Sequence, residues 1–393
     1  MKIGIVTTMN ALAWAGSEEL WFGAARRLLA QGHAVDVYYP ALRGSAPQLD
    51  ELRAAGAKVH AFGWRSPRMT HLMGQLGKRW RGLPVAYPFP GDAAWKSLDR
   101  VLVSQGACLD GQPWLDALRR AGVPYSILCQ ANMESLWPDD DTAQRVCDYY
   151  AGARGVYFVS QENRRLFEVQ TGYVGSNTAV VWNPLQPSTP AQALDWPAGD
   201  ADGPLRLAIV GRIEPFAKGQ DLAIEVMSMD KWRARDVRVT LFGRGPWART
   251  AQRIIERRGV SAVSLGGFAT PREIWEKHHL LALPSRHEGM SLAMLEAMWL
   301  GRPVLATAVA GAISEIEDGV NGFLCQAASV ASWDDGMERA WQARARWRAM
   351  GAAAATAIRA RMPADPAAEL ARLLVDGGSA APASAQAQPS ARP

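Results

Sequence analysis

Short apolar runs alternate with amphipathic stretches over most of the chain. In the first half, Lys2 to Thr7 reads as a strand, Glu18 to Gln31 as a helix stopped at Gly32, and Ala34 to Tyr38 as the next strand. After Lys58 to Phe62 the rhythm blurs through a segment rich in arginine, glycine and proline that ends in YPFPG, Tyr87 to Gly91. It resumes with strand-like runs at Val101 to Ser104, Tyr125 to Cys129 and Gly155 to Val159, each followed by a helical pattern. The second half repeats the scheme, with strands expected at Leu207 to Val210, Val237 to Phe242, Ala262 to Leu265, Leu280 to Leu283 and Pro303 to Thr307. Strands alternating with helices imply right-handed crossovers and parallel sheets covered on both faces. The expected fold class is α/β: two doubly wound, Rossmann-like domains whose strand ends face a cleft, where ligands collect.

Proline marks the joint between the halves. Asn183 to Pro204 holds Pro184, Pro187, Pro190, Pro197 and Pro204 with no sustained period, as a semi-stiff linker would. The expected division is residues 1–182, a linker at 183–204, and a second domain at 205–361 that ends in one long alanine- and arginine-rich helical region, Ser332 to Arg361. Residues 376–393 have too little apolar content to fold and read as a disordered tail.

Length agrees with two domains, since 393 residues exceed one ordinary core. A net charge of +5 suits an anionic ligand, and the basic residues are too scattered for nucleic acid. Cys108, Cys129, Cys147 and Cys325 are widely spaced with no CxxC pair, so they read as small core residues in a reducing cytosol. MKIGIVTT lacks a signal-peptide pattern and no run reaches a spanning length, so the expected location is cytoplasmic, with membrane contact at most peripheral, at the inner face. Of the 16 tryptophans, Trp80, Trp341 and Trp347 lie near arginines and suit a sugar ring or lipid-linked group, although packing accounts for most.

The stretch Leu280 to Gly301, LLALPSRHEGMSLAMLEAMWLG, carries the most chemistry. A buried strand stops at Pro284, Ser291 opens a helix, and Gly301 with Pro303 ends it. That arrangement puts unpaired N–H groups and a helix dipole at the mouth of a sheet, a seat for phosphate. Glu288 in the loop and Glu296 in the helix would flank a bound diphosphate, and His287 adjoins them. Three glycine-bearing loops follow other strands. NALAWAGSEEL places Gly16 before a helix, where a small residue lets a ligand approach the backbone, the alternative being a plain helix start capped by Ser17; VGRIEPFAKGQD sends Arg212 and Lys218 out of one strand end; LFGRGPW contains Gly243. The dinucleotide fingerprint, the P-loop, HExxH and GxSxG are all absent. Asp139 to Asp141 read as a helix start, and adjacent His278 and His279 are poor joint ligands, so no metal site is expected.

Together these loops resemble the retaining glycosyltransferases of the family 4 type, whose fold is GT-B. The segments VGRIEPFAKGQD, LFGRGPW, LALPSRHEGMSLAMLEAMWLGRPVLATAVAG and SEIEDGVNGFL come in the family's order. The resemblance implies that the first domain faces the acceptor and the second holds a nucleoside diphosphate sugar. It implies roles for Glu288 at the transferred sugar, Glu296 at the ribose, and Arg212 and Lys218 at the diphosphate. The amides of Gly289, Met290, Ser291 and Leu292 would take the remaining phosphate charge, and Gly16 would close the site. Two departures stand out: Ala15-Gly16 replaces the usual Gly-Gly, and the usual histidine after SILC is missing, leaving Gln130 or Asn132 in its place. The expected activity is sugar transfer with retention to a hydroxyl of a carbohydrate or lipid-linked acceptor, in cell-envelope polysaccharide or glycolipid synthesis, with no cofactor. The alternatives are a sugar-nucleotide epimerase of similar fold and a non-catalytic nucleotide-sugar-binding scaffold.

Overall fold

A computed structural model describes residues 1–9, 14–40, 46–62, 92–197 and 203–377. The segment from Trp64 towards Ala94, which includes Trp80 and YPFPG, lies almost wholly outside these residues, as does the tail beyond Gly377.

Two parallel sheets organise the described residues. The first contains β1 (Lys2–Thr7), β2 (Ala34–Pro40), β3 (Lys58–Phe62), β4 (Arg100–Gln105), β5 (Tyr125–Cys129), β6 (Val156–Phe158) and β7 (Thr178–Val180). Their spatial order is β3-β2-β1-β4-β5-β6-β7. The second contains β8 (Leu205–Val210), β9 (Val237–Phe242), β10 (Val263–Gly267), β11 (Leu280–Leu283), β12 (Val304–Thr307) and β13 (Gly322–Cys325), in the order β10-β9-β8-β11-β12-β13. Strand order reverses between β1 and β4 and again between β8 and β11. The loops leaving these strands splay apart and open a crevice at each carboxyl edge. The central strands β1, β4, β5, β11 and β12 are apolar and almost wholly buried, as sheets covered on both faces require.

One apolar cluster crosses from the first domain to the second. It joins Leu20, Trp21 and Leu28 of the helix Glu19–Ala30 to Met294, Leu295 and Met298 of the helix Leu292–Trp299, and on to Leu370 and Leu374. The last two belong to a helix, Pro366–Asp376, that packs on Glu19–Ala30 and so returns the chain to the first domain.

Several expectations need correction. The region from Ser332 to Arg361 is two helices, Val330–Gln342 and Trp347–Arg361, broken by a 3-10 turn at Arg344–Arg346. Ser17 caps no helix; it lies inside a 3-10 turn, Gly16–Glu18, that leads into Glu19–Ala30. Cys108 and Cys129 form a disulfide. Their 21-residue separation spans the helix Gln112–Ala121 and β5, and pairing of β4 with β5 sets the end of β5 beside the loop that leaves β4. A search for CxxC spacing cannot detect such a pair. Cys147 and Cys325 are free. Trp347 is buried, and Trp341 stacks with Arg235 and Arg344, so both are packing residues. His278 and His279 bond separately, to Ile274 and Thr240 and to the Arg206 amide. Asp139 caps a helix through the Thr142 amide at 2.8 Å, as its position in the sequence predicts.

The linker is fixed to the second domain. The buried guanidinium of Arg302 donates to the carbonyls of Asp195 at 2.6 Å and Leu194 at 3.3 Å, and to that of Trp275 at 2.6 Å. Trp299 Nε1 reaches the Pro190 carbonyl at 3.2 Å.

Candidate functional site

The ends of β1, β4 and β5 on one side and of β8, β9 and β11 on the other enclose a cleft of about 1170 Å³. Its lining includes Gly16, Gln130, Arg212, Lys218, Gly243, His287, Glu288, Gly289, Met290, Ser291, Leu292 and Glu296. These residues lie up to 280 positions apart in the chain, and only the two crevices meeting face to face bring them together. Asn132 does not line the cleft. Its amide donates to Gln170 Oε1 at 2.8 Å and its oxygen accepts from the Met133 amide, so it is a loop brace.

Glu288 is the centre of the polar network. Its Oε1 accepts from Lys218 Nζ at 2.6 Å and from Ser285 Oγ at 2.8 Å, while Oε2 has no hydrogen-bond partner among the described residues. Lys218 reaches it because the turn Pro215–Lys218 is bolted to the Glu288 loop. The amides of Arg286 and His287 both donate to the Ala217 carbonyl, and Arg286 forks onto Asp221 with two 2.7 Å bonds. Arg212 pairs with Glu214 at 2.5 Å, leaving its buried Nε unpartnered. Arg244 adds an exposed cation on the same wall, one that the GRGPW motif contains and the sequence reading passed over.

The helix Leu292–Trp299 begins as expected. Ser291 caps it by accepting from the Met294 amide, a contact type that stabilises a helix by about 1 kcal/mol. The N–H groups of Gly289, Met290, Ser291 and Leu292 donate to no other group among the described residues. Four unsatisfied donors at the positive end of a helix make a seat for an anion.

Glu296 is the one charged side chain in that helix, whose Ala293, Met294, Leu295, Ala297 and Met298 are all buried. The carboxylate is only 2% exposed and its Oε1 has no partner. Burial pushes its pKa up to about 8; hydrogen bonding from Gln186 of the linker pulls the other way, and the nearby Glu19 carboxylate adds to the rise. Gln186 carries no motif, and Glu19, although within NALAWAGSEEL, had no role assigned from the sequence. Trp14 Nε1 holds Glu19 at 2.7 Å.

The first domain approaches through small residues. A Cβ on Gly289 would lie 1.8 Å from the Gln130 carbonyl oxygen, and one on Gly16 would lie 2.7 Å from Leu292 Cδ1. Gln130 itself is buried at the cleft with both amide atoms unpartnered, an arrangement that costs free energy unless a ligand fills it. Asp110 also lines this wall; burial raises its pKa, against the pull of the bond from the Ala107 amide. An acid between glycines after a strand, GACLDGQP, was the available signal for it.

Residues 204–343 match the family model described as Glycosyl transferases group 1. The match covers less than half of the chain. The described residues have the GT-B fold: the chain superposes on Anabaena HepE in complex with UDP-glucose with a TM-score of 0.69 at 16% identity, over 96% of this chain and 99% of that one. Lipopolysaccharide outer core galactosyltransferase WaaB gives 0.66 at 14% identity, over 96% and 99%. A D-inositol 3-phosphate glycosyltransferase of Corynebacterium aurimucosum is 31% identical over 160 residues, 38% of this chain and 37% of the relative. Alpha-D-kanosaminyltransferase of Streptomyces kanamyceticus is 32% identical over 134 residues, 33% of this chain and 34% of the relative. The matches thus span little more than a third of these relatives' length. Among the described residues no group of three His, Cys, Asp or Glu side chains could hold a metal ion, and no helix is long and apolar enough to cross a membrane.

Proposed function

We propose that the protein is a retaining glycosyltransferase that moves a sugar from a nucleoside diphosphate to a hydroxyl of a carbohydrate or lipid-linked acceptor. One observation carries the reading: the Lys218–Glu288 pair, the unpartnered edge of Arg212, four free amides and the orphaned Glu296 oxygen converge on one cleft. A nucleoside diphosphate sugar uses all of them. Its diphosphate takes the amides, Arg212 and Lys218; a ribose hydroxyl donates to Glu296 Oε1; hydroxyls of the transferred sugar donate to Glu288 Oε2 and meet the Gln130 amide.

The reaction breaks the bond between the anomeric carbon and the diphosphate oxygen, and negative charge grows on that oxygen. Preorganised cations and amides aimed at it lower the barrier. With Glu288 occupying one face of the sugar, the acceptor oxygen attacks from the face the leaving group vacates, and the departing phosphate oxygen takes its proton. Closure of the two domains excludes water and limits hydrolysis of the donor. No metal enters this scheme. WaaB and a Staphylococcus aureus poly(ribitol-phosphate) alpha-N-acetylglucosaminyltransferase, 33% identical over 123 residues, support a role in cell-envelope polysaccharide or glycolipid synthesis.

The test is calorimetric titration with UDP, GDP, ADP, CDP and TDP, followed by transfer assays with the matching sugar nucleotides. One preferred diphosphate, and a product with the donor's anomeric configuration by NMR, are expected. Arg212→Ala and Lys218→Ala should each lower turnover by about 10²- to 10³-fold, the usual loss for one stabilising donor. Wild-type rates in both would refute the diphosphate clamp, and nucleotide binding without turnover would favour a scaffold.

A further inference from the structure

Among the described residues, the exposed aromatic rings are Trp137, Phe216 and Phe268, at 61%, 66% and 73%. Every other Phe, Tyr or Trp side chain described is buried or half-buried. All three belong to the cleft region: Phe216 and Phe268 line it, and Trp137 stands on the loop whose Met133 lines it. Apolar rings left in water tend to mark a surface that another molecule covers.

Phe216 is held rigidly. It sits in Pro215–Lys218, two residues before the lysine that meets Glu288, and its ring lies 5.1 Å from the His287 ring. Arg286 Nη1 pins the Pro215 carbonyl at 2.7 Å. The loop after β5 lines the same cleft through Gln130, Ala131 and Met133, and on it Trp137 Nε1 donates to the Glu134 carbonyl at 2.8 Å. The cleft beside Lys218 and Glu288 is thus lined by Phe216 from the second domain and, from the first, by the loop that carries Glu134 and Trp137.

We infer that this part of the cleft binds the acceptor, and that the acceptor presents a pyranose ring there, its C–H face on Phe216 and Trp137 and a hydroxyl on the Glu134 carboxylate. The inference rests on the transferase reading and narrows its acceptor to a saccharide, free or at the end of a lipid carrier. Flat rings suit the apolar faces of sugars, and a carboxylate suits their hydroxyls. Phe216 and Trp137 are thus specificity-determining residues that carry no charge of their own.

Saturation-transfer NMR on the full chain tests this without turnover. The probes are the methyl α- and β-pyranosides of glucose, galactose, mannose and N-acetylglucosamine, with the tightest-binding nucleoside diphosphate present. At least one pyranoside should receive saturation, strongest at its axial ring protons. The signal should fall about tenfold in Phe216→Ala and in Trp137→Ala and survive in Phe216→Tyr and Trp137→Phe, with the nucleotide Kd unchanged. The inference is overturned if no pyranoside is saturated, if both alanine variants keep the signal, or if they weaken the nucleotide instead. Nucleotide binding with no saccharide contact refutes this inference alone and leaves transfer to a non-sugar hydroxyl; loss of nucleotide binding by the wild type refutes the transferase reading itself.

Discussion

Replacing Glu296 with glutamine should move stability and ligand affinity in opposite directions. The carboxyl group sits in an apolar helix with one oxygen unpartnered, and its pKa is raised from 4.5 to about 8 by burial. Between those values the folded protein holds a proton that the unfolded chain has released, so raising the pH destabilises the fold. One such group contributes at most about 1.4 kcal/mol per pH unit within that window, or on the order of 4 °C in midpoint for a domain of this size. Below pH 4.5 both states are protonated and above 8 both are ionised, so the slope vanishes outside the window. Glutamine cannot ionise. The midpoint of Glu296→Gln, measured by calorimetry from about pH 4 to 9, should gain on the wild type steadily up to about pH 8 and then run parallel to it. Nucleotide affinity should fall instead. A ribose hydroxyl donating to a carboxylate makes a charge-assisted bond, and replacing it with an amide should weaken binding by about 10- to 100-fold above pH 8. In the wild type, binding should release a proton below pH 8, visible as a buffer-dependent heat. A pH-independent difference in midpoint, or a nucleotide that binds both proteins equally, would refute the argument.

Two further outcomes follow from packing. In Gly289→Ala the added methyl would fall 1.8 Å from the Gln130 carbonyl, backbone that cannot yield locally, so the domains must part; activity should drop at least about tenfold while small-angle scattering shows a more open chain, and an unchanged profile would remove the contact from the account. Arg302→Met deletes the buried guanidinium that ties linker carbonyls at Leu194 and Asp195 to the second domain, leaving those acceptors without that donor; a loss of about 3 kcal/mol in unfolding experiments is expected, and a loss below about 1 kcal/mol would mean the linker is held by its apolar contacts.

Local chemistry determined much of this protein. Alternating apolar runs and amphipathic stretches specify parallel β-helix units because periods of about two and 3.6 bury different faces, and Ser291 before an apolar helix specifies a cap whose free amides are short-range consequences of helix geometry. Arg212, Lys218, Glu288 and Glu296 were legible for the same reason: each lies just beyond a strand or within the turn and helix that follow it, and a parallel sheet delivers such positions to one edge. What required the tertiary structure was every relation across elements. The Cys108–Cys129 bond depends on β4 pairing with β5, and the break at Arg344–Arg346 and the return of Pro366–Asp376 to the first domain depend on which faces were left uncovered. Only the packed helix turns Glu296 from an ordinary acid into one with an orphaned oxygen, by removing water from around it. Gln186, Glu19 and Gln130 gain meaning only where two crevices meet. Asn132 loses its place there because Gln170, 38 residues on, claims its amide. Propensity and pattern act over a few residues, whereas burial and partner choice are set by the whole chain closing on itself.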